Sequence, residues 1–484
     1  MQSNGLRGTF RPQGRAQQLL DSGPDYLQPE FVDPLLRESQ LAEVEQNLVE
    51  RNLAEVVNPA PLDPPESLAA GCEFVNASRD VEAALVVFGD ERSERGDEEF
   101  GAGDLQFIQP VDEERDAALC EQLTRAAKTP LVQSQSFSAV YVGGGTPTDM
   151  AAGDLALLAN AIGRFPLTSD VELTLEGRLN GFDDAKWETA LAGGFNRFSF
   201  GVQSFNTAVR QQAARFDDRE TLLARLGALT RHDEAVIAAD LIFGLPGQDD
   251  FVWRQDVADV MASGVHGVDL YQLIAMAGTN LARAGEKGTL GWAADGPQRA
   301  AMYAQGAQTL EAGGWQRLSC SHWRRTPAER SRYNQMAKCG AEILPFGAGA
   351  GGNIHGHGLM QGRDLAAWHE ALAEGRRPPG MVMGQTPDVR IDGLLRGGLD
   401  AGWLDLTCLP APLRAHLLPL FERWQAHGLA ELGQERLELT LAGRFWNVNL
   451  QAGLFEYVQR NPLAGEQGGA GSSGNRAAVH PTLV

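Results

Sequence analysis

From Ala117 onward, short apolar runs alternate with longer segments in which apolar residues recur every three or four positions. The short runs are rich in β-branched and aromatic residues, as buried strands are, and the longer segments have the spacing of amphipathic helices. The predicted strands are 139–142, 171–175, 197–202, 235–243, 267–273 and 316–320. The predicted helices are 118–128, 153–164, 184–192, 206–230 with a break, 251–262 and 296–312. Strands that alternate with helices indicate an α/β fold with a parallel sheet and right-handed crossovers.

One further strand precedes this series, in the run EAALVVF at 82–88. With it, the pattern gives about six or seven strand–helix units, which predicts a partial (β/α) barrel rather than a closed one of eight. Ligands of such barrels lie at the carboxyl ends of the strands. The polar and glycine-rich segments that follow each strand are therefore the candidate site.

The pattern is weaker outside the barrel region. Residues 1–80 begin polar and rich in Pro, Gly and Gln and are predicted to be partly disordered. A helix predicted near 34–56 ends at NPAPLDPP. Residues 358–380 are predicted to be helical and then Pro/Gly-rich, and to serve as a linker. Helical patterns followed by short strands predict a small domain at 381–460, and the Gly/Ala/Ser-rich residues 461–484 are predicted to be a disordered tail.

Composition narrows the possible functions. The chain has 484 residues, of which 43% are hydrophobic and 21% charged, and its formal net charge is −22. Such a balance argues against binding nucleic acid or an anionic membrane. No apolar run approaches the length of a membrane span, and the first twenty residues lack the apolar core of a secretory signal, so the predicted location is cytoplasmic.

A run of three glycines follows the strand predicted at 139–142. Gly143, Gly144 and Gly145, then Thr146, stand where a parallel strand ends. Glycines are kept where a Cβ would collide with something, and a ligand pressed against the backbone is one such case. Exposed N–H and C=O groups there can bind the ammonium and carboxylate of an amino acid. A plain turn between strand and helix explains the same run equally well.

Polar residues follow the next predicted strands. Glu176 can accept hydrogen bonds from a ribose diol or an ammonium, and Gln203 can both donate and accept. Asp240 stands inside the apolar segment AVIAADLIFGLPG, where an unpaired carboxylate is costly. A helix cap for Glu176, a solvated helix charge for Arg215 and a structural hydrogen bond for Asp240 are the alternatives.

These segments together resemble a known family. GGGTPT, LTLEG (173–177), RFSFGVQSF (197–205), ADLIFGLPGQ (239–248) and FGAGAGG (346–352) occur in this order and at these separations. The set resembles the radical S-adenosylmethionine (SAM) enzymes of the coproporphyrinogen dehydrogenase group. VDLYQLI (268–274) and SHW (321–323) are typical of its anaerobic haem-degrading methyltransferase branch, ChuW/HutW. The resemblance covers roughly 118–459.

The resemblance implies a radical SAM partial barrel over 81–360 and a winged-helix-like C-terminal domain over 381–460. It implies that SAM is bound by the residues already singled out: Gly143, Gly144, Gly145, Thr146, Glu176, Gln203, Arg215 and Asp240. Gly349, in the second glycine cluster, would let a tetrapyrrole or a second SAM approach the backbone, unless that cluster only connects two domains. His322 and Tyr271 are the candidate catalytic residues, His322 through a haem propionate or proton transfer and Tyr271 from the pocket wall. His355 and His357 are weaker candidates as haem-iron ligands, because solvent exposure explains them better.

The family also implies a [4Fe–4S] cluster, held by a C-x-x-x-C-x-x-C loop after the first strand. Here that loop, within 89–116, contains no cysteine. The chain has five cysteines, Cys72, Cys120, Cys320, Cys339 and Cys408, and no two of them lie within four residues. Carboxylates replace thiolates poorly at such clusters, so no metal ligands are predicted. Residues 1 to about 116 do not match the family. Sequence divergence, replacement of this segment and a shifted reading frame are the three explanations left open.

The resemblance leaves three functions open. The first is anaerobic haem degradation by methyl transfer and ring opening, with a flavodoxin-type electron donor, in a form that the missing cysteines would inactivate. The second is a cluster-less protein that binds SAM or haem, such as a haem chaperone. The third is an oxygen-independent coproporphyrinogen III dehydrogenase. All three imply haem or another tetrapyrrole as the partner.

Overall fold

The computed structural model describes residues 82–88, 113–213, 215–273, 293–378, 380–385 and 388–461. The chain divides into two compact units. We name the unit formed by 78–294 and 309–389 the barrel unit, and the one formed by 295–308 and 390–477 the C-terminal unit. The N-terminal region, the loop residues 89–112 and residues 462–484 lie outside the described residues, so the predictions made for them stay predictions.

Among the described residues, twelve strands form one sheet in the barrel unit, and seven neighbouring strands at its centre run parallel. In spatial order these seven are β9 (Glu342–Phe346), β1 (Glu82–Phe88), β2 (Ser136–Gly143), β3 (Leu167–Gly177), β4 (Arg197–Gln203), β5 (Val236–Phe243) and β6 (Gly267–Gln272). Antiparallel strands extend both sides: β8 (His322–Arg324) and β7 (Gln316–Arg317) beyond β6, and β10 (Gly351–Ile354), β11 (His357–Gln361) and β12 (Gly380–Gln385) beyond β9. The predicted α/β class and partial barrel are confirmed.

Helices follow most of the parallel strands, as the periodicity predicts. They are α1 (Glu113–Ala126), α2 (Pro130–Gln133), α3 (Ala152–Ile162), α4 (Asp184–Ala192), α5 (Thr207–Gln212), α6 (Arg219–His232), α7 (Asp250–Ala262), α8 (Gly296–Ala312), α9 (Arg332–Lys338) and α10 (Leu365–Ala373). Aspartates cap the N-termini of three of these helices. The carboxylates of Asp183, Asp218 and Asp249 each accept a hydrogen bond from a backbone N–H of the first helical turn.

The C-terminal unit has its own three-stranded antiparallel sheet, in the order β13 (Trp403–Asp405), β15 (Arg436–Leu439) and β14 (Ala430–Leu432). Its helices are α11 (Val389–Ala401), α12 (Ala411–Ala426), α13 (Leu441–Phe445) and α14 (Asn447–Arg460), and residues 296–308 of α8 also belong to this unit. This separate sheet with surrounding helices agrees with the predicted small C-terminal domain.

Alternate faces of the parallel strands have different chemistry. Phe198 and Phe200 on β4 pack against Phe182 and Trp187, so one face of the strand lies against the helical layer. Arg197, which precedes Phe198, is nevertheless buried on the opposite face. The face of the sheet opposite the helices therefore carries buried polar side chains. A plain hydrophobic core would have apolar side chains there.

Two predicted segments are wrong in part. Of the strand predicted at 316–320, only Gln316–Arg317 is a strand (β7), and it pairs antiparallel with β8. The backbone N–H groups of Leu318 and Ser319 bond the carbonyl of His322 and turn the chain back. The helix predicted within 358–380 is confirmed as α10, but the linker role is wrong, because the strands on either side of α10, β11 and β12, belong to the large sheet. At Gly352, a Cβ would collide with the Ile343 carbonyl oxygen. This glycine is therefore needed for close packing of the strands rather than for flexibility.

Candidate functional site at the strand ends

The carboxyl ends of neighbouring parallel strands bring together several residues that the sequence predicts to bind a cofactor. Glu176 on β3 is in register with Ser199 on β4, and Gly201 is in register with Asp240 on β5. Gly143 ends β2 directly beside the Glu176 carboxylate. The geometry therefore places Gly143, Glu176 and Asp240 along one edge of the sheet.

The glycine run has two structural causes. At Gly143 a Cβ would collide with the Glu176 carboxylate and the Tyr141 ring. Gly144 and Gly145 adopt φ angles of 76° and 61°, which favour glycine. A turn and a close approach within the protein thus account for these residues, and the turn leaves its backbone beside the Glu176 carboxylate.

The segment after the glycines is fixed to the end of β3. The Thr148 hydroxyl donates to the Arg178 carbonyl at 3.1 Å and accepts from the Arg178 N–H at 3.0 Å. The Arg178 guanidinium pairs with Asp149 at 2.6 Å, and Lys186 Nζ donates to the Thr148 carbonyl at 2.9 Å. Thr148 fits here because Gly177 has no side chain. The strand-end loop is therefore preorganised.

Acidic side chains concentrate on this edge. The Tyr141 hydroxyl donates to Glu176 Oε2 at 2.7 Å, and the Ser199 hydroxyl donates to Asp240 Oδ1 at 3.2 Å. Burial, followed by the charges of Asp269 and Glu176, raises the pKa of Asp240 well above its usual value. A bound cation would offset this mutual repulsion, so the edge is suited to a positively charged ligand.

Gln203 and Arg215 stand at the end of β4. Gln203 has a φ of 67°, and its buried Oε1 atom has no hydrogen-bond partner among the described residues. The Gln203 amide nitrogen and an Arg215 guanidinium nitrogen would lie 2.8 and 3.8 Å from a Cβ placed on Gly201. Burial lowers the pKa of Arg215 to about 10, and the nearby Arg210 and Arg178 add to the effect.

A buried ion cluster lies on the face of the sheet opposite the helices. Arg197 Nε is 3.1 Å from both carboxylate oxygens of Glu329. His322 Nδ1 is 2.7 Å from Asp269 Oδ2, and His322 Nε2 is 3.4 Å from Glu329 Oε1. All four side chains are almost completely buried. We name these four residues the barrel ion cluster.

Sequence reasoning missed three members of the barrel ion cluster. Arg197 and Asp269 carried a usable signal, because each is a charge inside an otherwise apolar predicted strand, as Asp240 is. Glu329 carried none, since it stands in an irregular segment between β8 and α9.

The two predicted catalytic residues lie close to one another but differ in exposure. His322 is 3% exposed and belongs to the barrel ion cluster. Tyr271 is 42% exposed and stands two residues after Asp269 on β6. The charge of Asp269, together with burial of the hydroxyl, raises the pKa of Tyr271 well above its usual value. Only Tyr271 of the pair is therefore open to a ligand.

The second glycine cluster forms the turn between β9 and β10. Gly349 has a φ of 78°, and its N–H donates to the Gly362 carbonyl at 3.1 Å. The interpretation of the cluster as a connection between domains is wrong, since both flanking strands belong to one sheet. His355 lies in the turn of the next hairpin and His357 begins β11. The His355 side chain is 70% exposed and lies 2.7 Å from Glu342.

The described cysteines do not form a metal site. Within the described ranges, no group of three His, Cys, Asp or Glu side chains could hold a metal ion. Burial, with Asp116 and Asp154 nearby, raises the pKa of the Cys120 thiol to about 11. Cys120 therefore stays protonated at neutral pH, and a protonated thiol is a poor metal ligand.

Comparisons with known proteins agree with this geometry. No family model matches the chain. The chain is 38% identical to an anaerobilin synthase of Escherichia coli O157:H7 over 344 residues, 71% of this chain and 77% of that protein. It is 28% identical to the heme chaperone HemW of Bacillus subtilis over 55% of this chain and 69% of that protein. The solved structure of Escherichia coli coproporphyrinogen III oxidase (HemN), a radical SAM enzyme, matches with a TM-score of 0.63 at 19% identity, across 80% of this chain and 92% of that one.

The fold and the strand-end site define a radical SAM type of barrel, and the chain belongs to the radical SAM coproporphyrinogen dehydrogenase-like family. Within that family it is similar to anaerobilin synthase, as the sequence resemblance predicts. Membership implies SAM and a [4Fe–4S] cluster as the family's cofactors. Of the helices described, none is both long and apolar enough to cross a membrane.

Proposed function

We propose that this chain binds SAM at the carboxyl ends of β2 to β5 and a haem-type tetrapyrrole beside it, and that the sequence given binds SAM without cleaving it. One observation carries the SAM assignment: Glu176, Gln203 and Asp240 converge on one edge, where Gln203 Oε1 is buried without a partner in the described chain. The tetrapyrrole assignment is supported by two relatives, an anaerobilin synthase and a heme chaperone.

The residues present fit SAM. The backbone of Gly144, Gly145 and Thr146 would hold the methionine end. Glu176 and Asp240 would face the ribose and the sulfonium, whose positive charge offsets the carboxylates that raise the pKa of Asp240. Gln203 Oε1 would gain the donor that it lacks.

The residues present do not fit a [4Fe–4S] cluster. The loop after β1 has no cysteine, and the described cysteines are scattered over separate elements. A [4Fe–4S] centre needs several thiolates at one place. Without them, the open iron that would bind SAM and deliver an electron has no protein ligands. For this reason we propose that the chain binds SAM but does not cleave it.

Replacing Asp240 with alanine is expected to weaken SAM binding by about 10- to 100-fold, because hydrogen bonds to charged groups are strong when buried. Arg215→Ala is expected to act in the same direction, with a smaller loss. Isothermal titration calorimetry on the full chain measures both. Because SAM binding favours ionised Asp240, affinity in the wild-type protein should rise as the pH is raised towards the elevated pKa of Asp240.

The matched control is Asp184→Ala, an aspartate whose side chain is 79% exposed at the start of α4. It should leave SAM affinity unchanged. Equal affinities for wild type and Asp240→Ala would remove the SAM assignment. A haem titration of the same proteins tests the tetrapyrrole half separately, and Asp240→Ala is expected to retain haem binding.

Anaerobic iron–sulfur reconstitution of the purified chain is expected to give no stoichiometric cluster, and so no absorbance band near roughly 400 nm. The control is the same protein with three cysteines introduced by design into the loop after β1. Iron and sulfide analysis complements the spectrum. Stoichiometric iron and sulfide in the unaltered chain would refute binding without cleavage.

Radical SAM haem degradation is the second candidate, and one observation favours it: 38% identity that extends over 77% of an anaerobilin synthase. It requires a cluster and an electron donor such as a flavodoxin. The reconstitution experiment therefore separates the two candidates, because a cluster bound by the chain as given would favour the enzyme.

A further inference from the structure

The end of β4 has an irregular backbone at one of the residues on which the proposed SAM site depends. Gly201 is in register with Asp240 on β5, whereas Gln203, two residues on, is in register with Leu241, the very next residue of β5. β4 therefore has a bulge at this point, and bulges beside functional sites commonly redirect a side chain. Gln203 itself has a φ of 67°, in the left-handed region that a residue with a Cβ enters at an energetic cost.

The Gln203 side chain lies back over its own strand. Its carboxamide nitrogen would be 2.8 Å from a Cβ placed on Gly201, so the carboxamide occupies space that only a glycine leaves free. Gly201 is in register with Asp240, and the carboxamide is therefore beside a residue proposed to bind SAM. The Oε1 atom is buried and has no hydrogen-bond partner among the described residues. A strained backbone that presents an unpaired buried acceptor persists only where its surroundings hold it in place.

Arg210, on α5, holds the backbone on both sides of Gln203. Its Nη1 atom donates to the carbonyl oxygens of Val202 and Ser204, the residues directly before and after Gln203. Its Nε atom donates to the Asp217 carbonyl at 2.8 Å, which fixes the guanidinium in turn. Burial lowers the pKa of Arg210 to about 10, so the guanidinium is still charged at neutral pH. Charged donors make stronger hydrogen bonds than neutral ones.

Asp256, on α7, holds the two residues that follow Gln203. Its Oδ2 atom accepts from the Ser204 hydroxyl at 2.7 Å, and its Oδ1 atom accepts from the Phe205 N–H at 2.7 Å. Gln248 Nε2 also donates to Oδ2, at 2.9 Å. Burial raises the pKa of Asp256 to about 6, and the hydrogen bonds from Gln248 and Ser204 oppose that rise. The carboxylate is therefore ionised at neutral pH, with three donors around it.

Packing of two helices against β4 does not require these charges. Arg210 is 4% exposed and Asp256 is 1% exposed, and burying a charge is costly where an apolar side chain could fill the same space. Both side chains form hydrogen bonds with groups of residues 202–205, immediately before and after Gln203. Fixing the peptide groups on each side of one residue fixes its φ and ψ angles. The two charges therefore determine the conformation of Gln203.

We propose that Arg210 and Asp256 are positioning residues that hold Gln203 in its left-handed conformation, with its carboxamide directed into the SAM site before SAM binds. The proposal rests on the SAM binding proposed above and extends it to two residues that act through Gln203 and not by touching the ligand. A side chain that is already ordered loses less conformational entropy on binding, so this hold raises SAM affinity.

A double-variant cycle on SAM affinity tests the positioning role. Asp256→Asn is expected to weaken SAM binding by about tenfold, because an NH₂ group replaces one of the two acceptor oxygens. Gln203→Ala is expected to lose about the same factor. The double variant should bind SAM no more than about twofold more weakly than Gln203→Ala alone, since residues that act through one another are not additive. Calorimetry on the full chain measures all four proteins. Losses that multiply, or wild-type affinity in Asp256→Asn, would overturn the positioning role.

Asp259→Asn is the matched control, on the same helix. Asp259 is 3% exposed, and it accepts from Arg219 Nε at 2.6 Å. Its replacement should leave SAM affinity as in the wild type. Arg210→Lys is the second variant, and it decides the question if Asp256→Asn does not fold. Lysine keeps the charge but lacks the planar fork of the guanidinium, so the same loss and the same lack of additivity with Gln203→Ala are expected.

Nitrogen-15 NMR of the full chain without SAM separates the positioning role from SAM binding. The side-chain NH₂ signals of Gln203 are identified by their loss in Gln203→Ala. They are expected to shift or broaden in Asp256→Asn and to stay in place in Asp259→Asn, because only the first variant releases the backbone beside Gln203. Unchanged signals in Asp256→Asn would overturn the positioning role whether or not SAM binds. If the wild type binds no SAM and the signals still shift, the proposed function fails while the hold on Gln203 stands.

Discussion

Replacing Glu329 with glutamine lowers the free energy of unfolding by about 3–5 kcal/mol, the usual cost of removing one partner from a buried ion pair. Glu329 is fully buried and holds Arg197 through both carboxylate oxygens, each 3.1 Å from Nε. Glutamine preserves the volume but removes the carboxylate charge that Arg197 contacts directly. Urea unfolding followed by circular dichroism measures the change.

Two controls separate charge from packing. Asp184→Asn breaks an ion pair with Arg225 at the surface, where Asp184 is 79% exposed, and should change stability little. The double variant Arg197→Met with Glu329→Leu replaces the buried pair by apolar side chains, and should recover most of the loss. A loss below about 1 kcal/mol in Glu329→Gln would contradict the interpretation that this pair is desolvated.

The pH dependence of stability follows from the same cluster. Arg197 and then His322 outweigh burial and lower the pKa of Glu329 to about 2, so its contribution is present above 4.5 and is lost as the pH falls through about 2. The pKa of His322 is raised to about 10, so its contribution is full below 6.5 and is lost as the pH rises through about 10. Glu329→Gln should remove the acid limb of this profile.

Most of the fold could be predicted from the sequence because most of the parallel strands have an apolar run and are followed by a helix of clear period. The helix predicted at 184–192 has those limits in the structure. Prediction failed at 316–320 and at β11 and β12, where the strands are short and antiparallel. Pairing there depends on partners distant in the chain, and a two-residue strand such as β7 has no period to detect.

The site was predictable in part for a related reason. A charge inside an apolar strand marked Asp240, and the same rule applied consistently would have found Arg197 and Asp269. What the sequence could not give is register. Whether Asp240 is level with Asp269 on β6 and with Gly201 on β4 depends on how adjacent strands are offset, and only the structure contains that information.

The glycines of the site also differ in how far the sequence explains them: some are required by a turn, and others by close packing in the folded protein. Gly144 needs its positive φ angle, which a turn at the end of β2 already suggests. Gly177 has no such angle, and its small size matters because Thr148 occupies the space that a Cβ would take. The sequence alone gives no reason for a glycine at position 177. In the structure, the absence of a side chain there lets Thr148, in the loop after β2, bond the end of β3.

Replacing Gly177 with alanine is therefore expected to lower both stability and SAM affinity. The new Cβ collides with the Thr148 side chain, whose hydroxyl bonds the backbone N–H and carbonyl of Arg178. Overpacking of this kind costs about 1–3 kcal/mol. Because Thr148 belongs to the same loop as Gly144, its displacement moves the backbone that would hold the methionine end of SAM, and a loss of at least about tenfold in affinity should accompany the loss of stability.

Gly153→Ala is the matched control, since a Cβ at Gly153 in α3 meets open space. There alanine should stabilise the protein by roughly 0.5–1 kcal/mol, through the helix preference of alanine over glycine, and leave SAM binding unchanged. Thermal unfolding and calorimetry on the two variants distinguish a local clash from a general intolerance of the barrel to added methyl groups. Gly177→Ala with wild-type stability and wild-type affinity would show that Thr148 can move away freely, and that the strand-end loop is not preorganised by its contact with β3.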